Sequence, residues 1–301
     1  MKILYIDPTS GWHTIDRLWV GLGELGNSVI REPHFDKNSI GNHDLVWVDF
    51  LTHNAADTSH RSFSAKLVLR VSATELFKPG CIARIDWKNV DALVMQGQHQ
   101  KDYFMEKYNR LPEEKVHVIP TATDVDKYPL RKGGRNNRVF INSQIHWRKG
   151  TQLIPDIIDT FPDDWQFFHV GNIINRDCMN YMEYELKRRG VSNRYHYQGT
   201  TGNIPGFVKD MAYYLHTSYT EGLPRTVGEC MSMGMQPIIK TYRGCEFWPK
   251  EYLWSDVSEV YEHTKRKWEP EKHRNWVIEN KSIEVVAEKA NELCLKLVAE
   301  K

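Results

Sequence analysis

The chain has 301 residues, a formal net charge of +1, 41% hydrophobic residues and 26% charged residues. This length suits two domains of about 100–200 residues each, and the composition is that of a globular protein with a sizeable core. The near-zero charge excludes a whole-molecule field that attracts nucleic acid or an anionic membrane, although a local basic patch is compatible with it.

Cysteine usage and hydropathy bear on the compartment. The five cysteines are scattered and form no Cys-x-x-Cys pair, which disfavours a disulfide framework or a structural zinc site. The start, MKILYIDPTSGW, lacks the long apolar region of a signal peptide, and no stretch approaches the ~20 apolar residues that span a bilayer. We therefore expect a cytoplasmic protein without a transmembrane segment, and peripheral membrane association stays open.

In the first half, short β-branched runs alternate with helical patterns. Helices are predicted at Thr14–Leu25, ended by Gly26, and at Gln98–Tyr108, which ends before Pro112. The predicted strands are Lys2–Asp7, Asp44–Phe50, Lys66–Val71, Ala92–Gln96 and Val116–Pro120. Because these strands are nearly continuous apolar runs, we expect a parallel sheet covered on both faces.

A Pro- and Gly-containing polar segment, Tyr128–Arg138, then indicates a linker. Beyond it, the predicted strands are Val139–Asn142, Trp165–Val170, Arg194–Gln198, Tyr213–Thr217 and Gln236–Thr241. The predicted helices are Thr151–Thr160, Cys178–Arg189, Arg225–Met233 and Ile283–Val298. The sequence thus predicts an α/β protein with two doubly wound, Rossmann-like domains, residues 1–130 and 131–301, and a helical C-terminus. In such sheets, ligands bind beyond the carboxyl ends of the strands.

The stretch Ser218–Ile239 carries the strongest chemical signal. It is predicted to run from a strand end through a turn into a helix, with Glu221 in the turn and Glu229 on the helix. Pro224 suits the first helical turn, whose free N–H groups can hold an anion such as a diphosphate. One carboxylate can then meet a sugar while the other accepts hydrogen bonds from a diol such as ribose.

This Glu-x7-Glu spacing, followed by Met-Ser-Met-Gly-x-x-Pro, resembles the signature of family-four retaining glycosyltransferases, which have the GT-B architecture. Further segments resemble that family in the same order along the chain. They are His117–Pro129 at the predicted domain junction, Val139–Gly150, Tyr197–Gly199 and Tyr242–Gly244. As an ordered set, these matches cover most of Val116–Trp248.

Two such doubly wound halves in tandem are expected to face each other across a cleft. Because a lysine and backbone dipoles can stabilise a leaving diphosphate, we expect no metal or other cofactor. The resemblance implies transfer of a sugar from a UDP- or GDP-sugar with retention. It assigns Glu221 and Lys149 to catalysis and Glu229 to the ribose diol. The other implied donor-binding residues are Gln144, Arg148, Gly222, Leu223, Pro224, Arg225 and Thr226. The acceptor-side candidates in the first domain are Gly11, His13, Arg70 and Glu75.

One departure keeps other functions open. Gln144 stands where the family usually has an arginine, and Arg148 is a candidate to supply the missing charge. The alternatives are a non-catalytic module that binds a nucleotide or glycan, and a sugar transferase acting on a nucleic-acid base. Asp124 and Asp126 resemble the metal-binding motif of the GT-A architecture, but two carboxylates alone are a weak ligand set, so no metal site is predicted. The acceptor, whether glycan, lipid-linked compound, small molecule or base, is not identified by the sequence.

Overall fold

The computed structural model describes residues 1–8, 17–36 and 42–300. The chain divides into two compact units. The first unit comprises Met1–Asp124 together with Asn280–Lys301, and the second comprises Val125–Glu279. The chain therefore passes from one unit to the other twice.

The first unit contains a six-stranded parallel sheet in the order β2-β1-β3-β4-β5-β6. Its strands are β1 Lys2–Ile6, β2 Ser28–Glu32, β3 Leu45–Asp49, β4 Lys66–Arg70, β5 Ala92–Met95 and β6 Val116–Val118. Alternate residues of the strands face opposite sides, so that Val46 and Val48 join one hydrophobic cluster while Leu45 and Trp47 join another. The two clusters explain why the inner strands are apolar along their whole length.

Helices cover both faces of this sheet. They are α1 Leu18–Glu24, α2 His53–Ser59, α3 Ala73–Leu76, α4 Pro79–Ala83, α5 Gln98–Lys107 and α12 Ile283–Ala299. The apolar stripe of α12 packs with Leu18 and Leu22 of α1 in the cluster that contains Leu45. At Gly21 the two helices approach so closely that a Cβ atom would lie 2.6 Å from the Cβ atom of Ala287. The C-terminal helix is therefore an integral part of the first unit.

The second unit has the same plan, with a six-stranded parallel sheet in the order β12-β11-β10-β7-β8-β9. Its strands are β7 Arg138–Asn142, β8 Gln166–Val170, β9 Tyr195–Tyr197, β10 Tyr213–His216, β11 Gln236–Lys240 and β12 Leu253–Trp254. Its helices are α6 Ile154–Asp159, α7 Arg176–Arg188, α8 Ile204–Phe207, α9 Arg225–Ser232, α10 Ser258–Thr264 and α11 Pro270–Lys281, whose end crosses the unit boundary. Tyr213 and Leu215 pack on one face, and Tyr214 packs on the other.

The predicted pair of parallel α/β domains is confirmed, and each of the ten predicted strands has a counterpart. Two strands, β2 and β12, were not predicted. The helix expected at Thr14–Leu25 is described from Leu18, and residues 9–16 lie outside the described ranges. The proposed division at residues 130 and 131 differs from the observed units in two places. Residues 125–130 fold with the second unit, and the C-terminal helix belongs to the first because its apolar stripe packs there.

Candidate functional site

Three loops leave the carboxyl edge of the second sheet side by side. They follow β7, β10 and β11, which are neighbours in the sheet and run parallel. The loop after β7 carries Lys149, and the loop after β10 carries Glu221. The parallel topology thus brings together two side chains that are 72 residues apart in sequence.

Gly150 allows the loop after β7 to lie against the end of β10. Its φ is +66°, and a Cβ atom there would lie 2.0 Å from the carbonyl oxygen of Thr217, so a side chain is excluded on both counts. The Thr217 hydroxyl donates to the Lys149 carbonyl at 2.8 Å, and the Tyr219 N–H donates to the Arg148 carbonyl at 3.0 Å. These contacts fix the backbone on which Lys149 is carried.

The Lys149 ammonium donates to Glu221 Oε1 at 2.5 Å, forming an ion pair whose side chains are 18% and 14% exposed. Burial by itself would raise the pKa of Glu221. The neighbouring His216 and the Lys149 ammonium outweigh this effect and hold the pKa of the carboxyl well below its usual range. Glu221 is therefore ionised at neutral pH, with its negative charge balanced by Lys149.

His216, the last residue of β10, is a third member of this cluster, and sequence reasoning did not find it. The side chain is 5% exposed, and Nε2 lies 3.9 Å from Glu221 Oε1. Neither ring nitrogen makes a hydrogen bond of normal length with the described residues. The ring of Tyr242, from the loop after β11, packs at a centroid distance of 5.6 Å. The only sequence signal was a histidine at a strand end five residues before Glu221.

Arg148 and Gln144 lie on the same loop as Lys149. Arg148 Nη1 donates to the carbonyl oxygen of Thr220 at 3.0 Å, and Gln144 is exposed. The guanidinium of Arg148 is thus held beside the turn that contains Glu221. The structure brings Lys149, Arg148 and Glu221 together, as the resemblance implied, while their roles toward a donor stay predictions.

The turn of Gly222, Leu223 and Pro224 leads into α9, which contains Arg225, Thr226 and Glu229. Glu229 is 8% exposed, and its Oε1 accepts from Arg225 Nη2 at 3.1 Å, one helical turn away. The two glutamates of the Glu-x7-Glu pattern therefore lie in separate ion pairs. The predicted ribose contact of Glu229 requires Arg225 to share or release this carboxylate.

The four residues predicted for the acceptor side lie in different surroundings. Gly11 and His13 lie outside the described residues. Arg70 is fully buried, and its Nε and Nη2 atoms donate to the two oxygens of Asp49 at 2.7 and 2.6 Å. These contacts give Arg70 a structural role in the core of the first unit, and its assignment to an acceptor site stays a prediction. Glu75 accepts from the Ser72 N–H at 3.1 Å in a capping box of α3, and burial raises the pKa of this carboxyl.

Other features concern metals and membranes. Asp124 forms an ion pair with Arg17 at 3.0 Å. Within residues 1–8, 17–36 and 42–300, no group of three or more His, Cys, Asp or Glu side chains is arranged to hold a metal ion. In the same ranges, no helix has both the length and the apolar character to cross a membrane. All five cysteines are free.

Comparison with known proteins identifies a distant relative in sequence, an uncharacterized glycosyltransferase of Methanocaldococcus jannaschii. It is 23% identical over 210 residues, which cover 64% of this chain and 51% of that protein. The chain thus spans about half the length of the curated relative that it matches. No family model matches the chain.

Solved structures resemble this chain along nearly its whole length. HepE of Anabaena in complex with UDP superposes with a TM-score of 0.80 at 14% identity and covers 98% of this chain and 100% of HepE. Sucrose-phosphate synthase of Thermosynechococcus elongatus superposes with a TM-score of 0.77 at 12% identity and full coverage of both chains. The two α/β units and C-terminal helices therefore match the fold of GT-B glycosyltransferase structures.

Proposed function

We propose that this chain is a glycosyltransferase that moves a sugar from a nucleotide diphosphosugar, with a UDP-sugar as the first candidate donor. Support comes from the relative of Methanocaldococcus jannaschii and from HepE, whose structures contain UDP or UDP-glucose. The observation that carries the proposal is the Lys149–Glu221 pair at the carboxyl edge of the second sheet. It offers a cation for a diphosphate and a carboxylate for a sugar hydroxyl at one place.

The proposed reaction breaks the bond between the anomeric carbon and the diphosphate oxygen, and negative charge grows on the departing diphosphate. Lys149 and Arg148 oppose this charge, which is how preorganised cations lower a barrier. The first amides of α9 contribute in the same sense, because no side chain caps this helix within the described residues. The oxygen of an acceptor hydroxyl forms the new bond to the anomeric carbon on the face that the diphosphate leaves, which gives retention, and the hydroxyl proton passes to the departing diphosphate.

Glu221 and Glu229 have different proposed roles. Glu221 accepts hydrogen bonds from the donor sugar, and Glu229 accepts them from the ribose diol. The Arg225 side chain is 39% exposed, so it can swing toward solvent or toward the ligand when the ribose arrives. Because cations and amides supply the charge stabilisation, we propose that transfer proceeds without a metal ion.

A second function is favoured by one observation. Gln144 is exposed at the position where the resembling family has an arginine. A site with one cation fewer could bind a nucleotide sugar without promoting departure of the diphosphate. The second candidate is therefore a module that binds a nucleotide or glycan without turnover.

Two measurements test the proposal. UDP- and GDP-sugars are screened by thermal shift, where a ligand of the folded state raises the melting temperature. The sugar that binds is then incubated with candidate acceptors and EDTA, and release of nucleoside diphosphate is followed. We expect stabilisation and release that EDTA does not abolish.

Each contrary result has a distinct meaning. Stabilisation without release for any acceptor favours the binding module. Absence of stabilisation by every sugar nucleotide contradicts the donor site. Activity that EDTA removes and Mn²⁺ restores contradicts metal independence, and Asp124 and Asp126 become the residues to test.

A further inference from the structure

His216 occupies an unusual position for a buried histidine. It is 5% exposed, yet both ring nitrogens lack a hydrogen bond of normal length within the described ranges. Buried polar groups are nearly always paired, since an unpaired one loses its contact with water without compensation. We infer that the ring nitrogens of His216 gain a hydrogen-bond partner in another state of the site, such as the one with a ligand bound.

The groups around the ring indicate which partner this is. Glu221, from the loop after β10, lies 3.9 Å from Nε2, and Lys149, from the loop after β7, holds the same Oε1 atom. Tyr242, after β11, faces the ring with its aromatic side, and burial raises the pKa of its phenol. Lys240 is turned to the rings of Tyr219 and Trp254, with Nζ 5.2 and 4.7 Å from their centroids. Glu221 is thus the anion next to His216.

A bound diphosphate changes the charge balance of this cluster. In the free site, one ammonium, Lys149, neutralises one carboxylate, Glu221. A diphosphate adds negative charge that competes for the same ammonium, and the proposed reaction needs Lys149 on the phosphate. Glu221 then remains buried with a weakened cationic partner, which is costly in a poorly solvated place.

We propose that His216 takes up a proton from solvent when a nucleotide diphosphosugar draws Lys149 away from Glu221, and that the imidazolium then holds the Glu221 carboxylate in position. This inference rests on the proposed donor site. Lys149 keeps its own proton throughout, and Glu221 keeps its negative charge. His216 is accordingly a positioning residue, which acts on the donor sugar through Glu221.

The imidazole is the group best suited to take the proton. Histidine changes its charge near neutral pH, so a modest change in its surroundings suffices. For Glu221 to take the proton instead, the pKa of its carboxyl would have to rise much further, because it is held well below the usual range.

Calorimetry of UDP-glucose binding tests this directly, because its diphosphate has no group that titrates near neutral pH. Binding to the full chain without acceptor is measured in PIPES and in Tris, whose ionisation enthalpies differ, to count the protons exchanged. We expect uptake of up to about one proton, and an affinity that falls by up to about tenfold per pH unit above neutrality. In His216→Asn both effects should vanish.

The matched control is His196→Asn, which removes a partly buried histidine of β9 that pairs with Gln166 at 2.7 Å. It should bind with the same proton uptake as the wild type. His216→Gln repeats the test with a longer amide if the asparagine variant is unstable.

The outcomes separate this inference from the proposed function. Tight binding without proton uptake in the wild type, or equal uptake in His216→Asn, overturns the role of His216 and leaves the donor site standing. If UDP-glucose does not bind, the same titration is made with the sugar nucleotide that the thermal-shift screen selects, and if none of those sugar nucleotides binds to the wild type, both proposals fall together. Uptake that disappears only in the His216 variants supports the inference.

Discussion

Replacing Arg70 by methionine tests whether this residue belongs to the core, as the structure indicates. Its guanidinium makes two hydrogen bonds with Asp49 and a third with the Tyr5 hydroxyl at 3.0 Å. Methionine fills part of the volume but supplies no charge. Asp49 would keep its hydrogen bonds from Tyr5 and from Trp47 Nε1 at 2.7 and 2.9 Å and would lose the guanidinium of Arg70.

The size of the effect follows from the loss of the Arg70 cation from this buried ion pair. Removing one partner of a buried ion pair typically costs about 3–5 kcal/mol. For a domain of about 150 residues this corresponds to a melting temperature lower by roughly 6–20 °C. Urea unfolding of wild type and variant gives the free energy difference, with ligand-free protein in both cases.

Two further variants make the result specific. Arg17→Met removes an arginine that pairs with Asp124 but is 53% exposed, and it should cost only about 0–1 kcal/mol. The double variant Arg70→Met/Asp49→Leu removes both charges and should recover much of the lost stability. A free energy of unfolding for Arg70→Met within about 1 kcal/mol of the wild type would refute the structural role.

Three further predictions concern the second unit. Lys149→Met should lower kcat by about 10²–10³ and change the donor KM much less, because charge on the diphosphate grows toward the transition state. Arg148→Met is its comparison in the same steady-state assay, and full activity of the Lys149 variant contradicts the donor site. Gly150→Ala should lower the free energy of unfolding, measured with urea, by at least about 1 kcal/mol, because the φ of +66° and the Thr217 carbonyl exclude a Cβ atom. A variant as stable as the wild type would argue against this contact between the loop and Thr217. Burial lowers the pKa of His169 to about 4, so the unfolded chain binds the extra proton between about pH 6.5 and 4. Stability should therefore fall with decreasing pH in this window by up to about 1.4 kcal/mol per unit, and an identical pH profile for His169→Gln speaks against it.

The strands that sequence reasoning found are those with a buried, apolar pattern. β3 is buried at all five positions, and such a run is visible without any knowledge of its neighbours. β2, Ser28–Glu32, has no fully buried residue, because it lies at the edge of the described sheet, next to β1. β12 has only two residues. Both are specified by the neighbouring strand rather than by their own composition.

In the candidate site, too, some features follow from a local sequence pattern and others from neighbouring segments. A motif predicts Lys149 and Glu221 as site residues, which stays a prediction, whereas their ion pair depends on parallel strands that place two loops side by side. His216 carried no spacing signal of its own. Arg70, at the end of β4, looked accessible in the sequence, but Asp49 on the adjacent strand encloses its charge. In these cases the sequence shows which charged side chain is present, but not which side chain it pairs with in the fold.

The return of the C-terminal helix to the first unit has a consequence for synthesis of the protein. While the ribosome extends the chain, residues Val125–Glu279 emerge as one continuous stretch and can form their own core. The first unit has to wait, because the apolar side chains of Leu18 and Leu22 stay uncovered until Ile283–Ala299 has left the exit tunnel. The first unit is thus completed after the second, and nascent chains that stop before residue 283 present an apolar surface to chaperones.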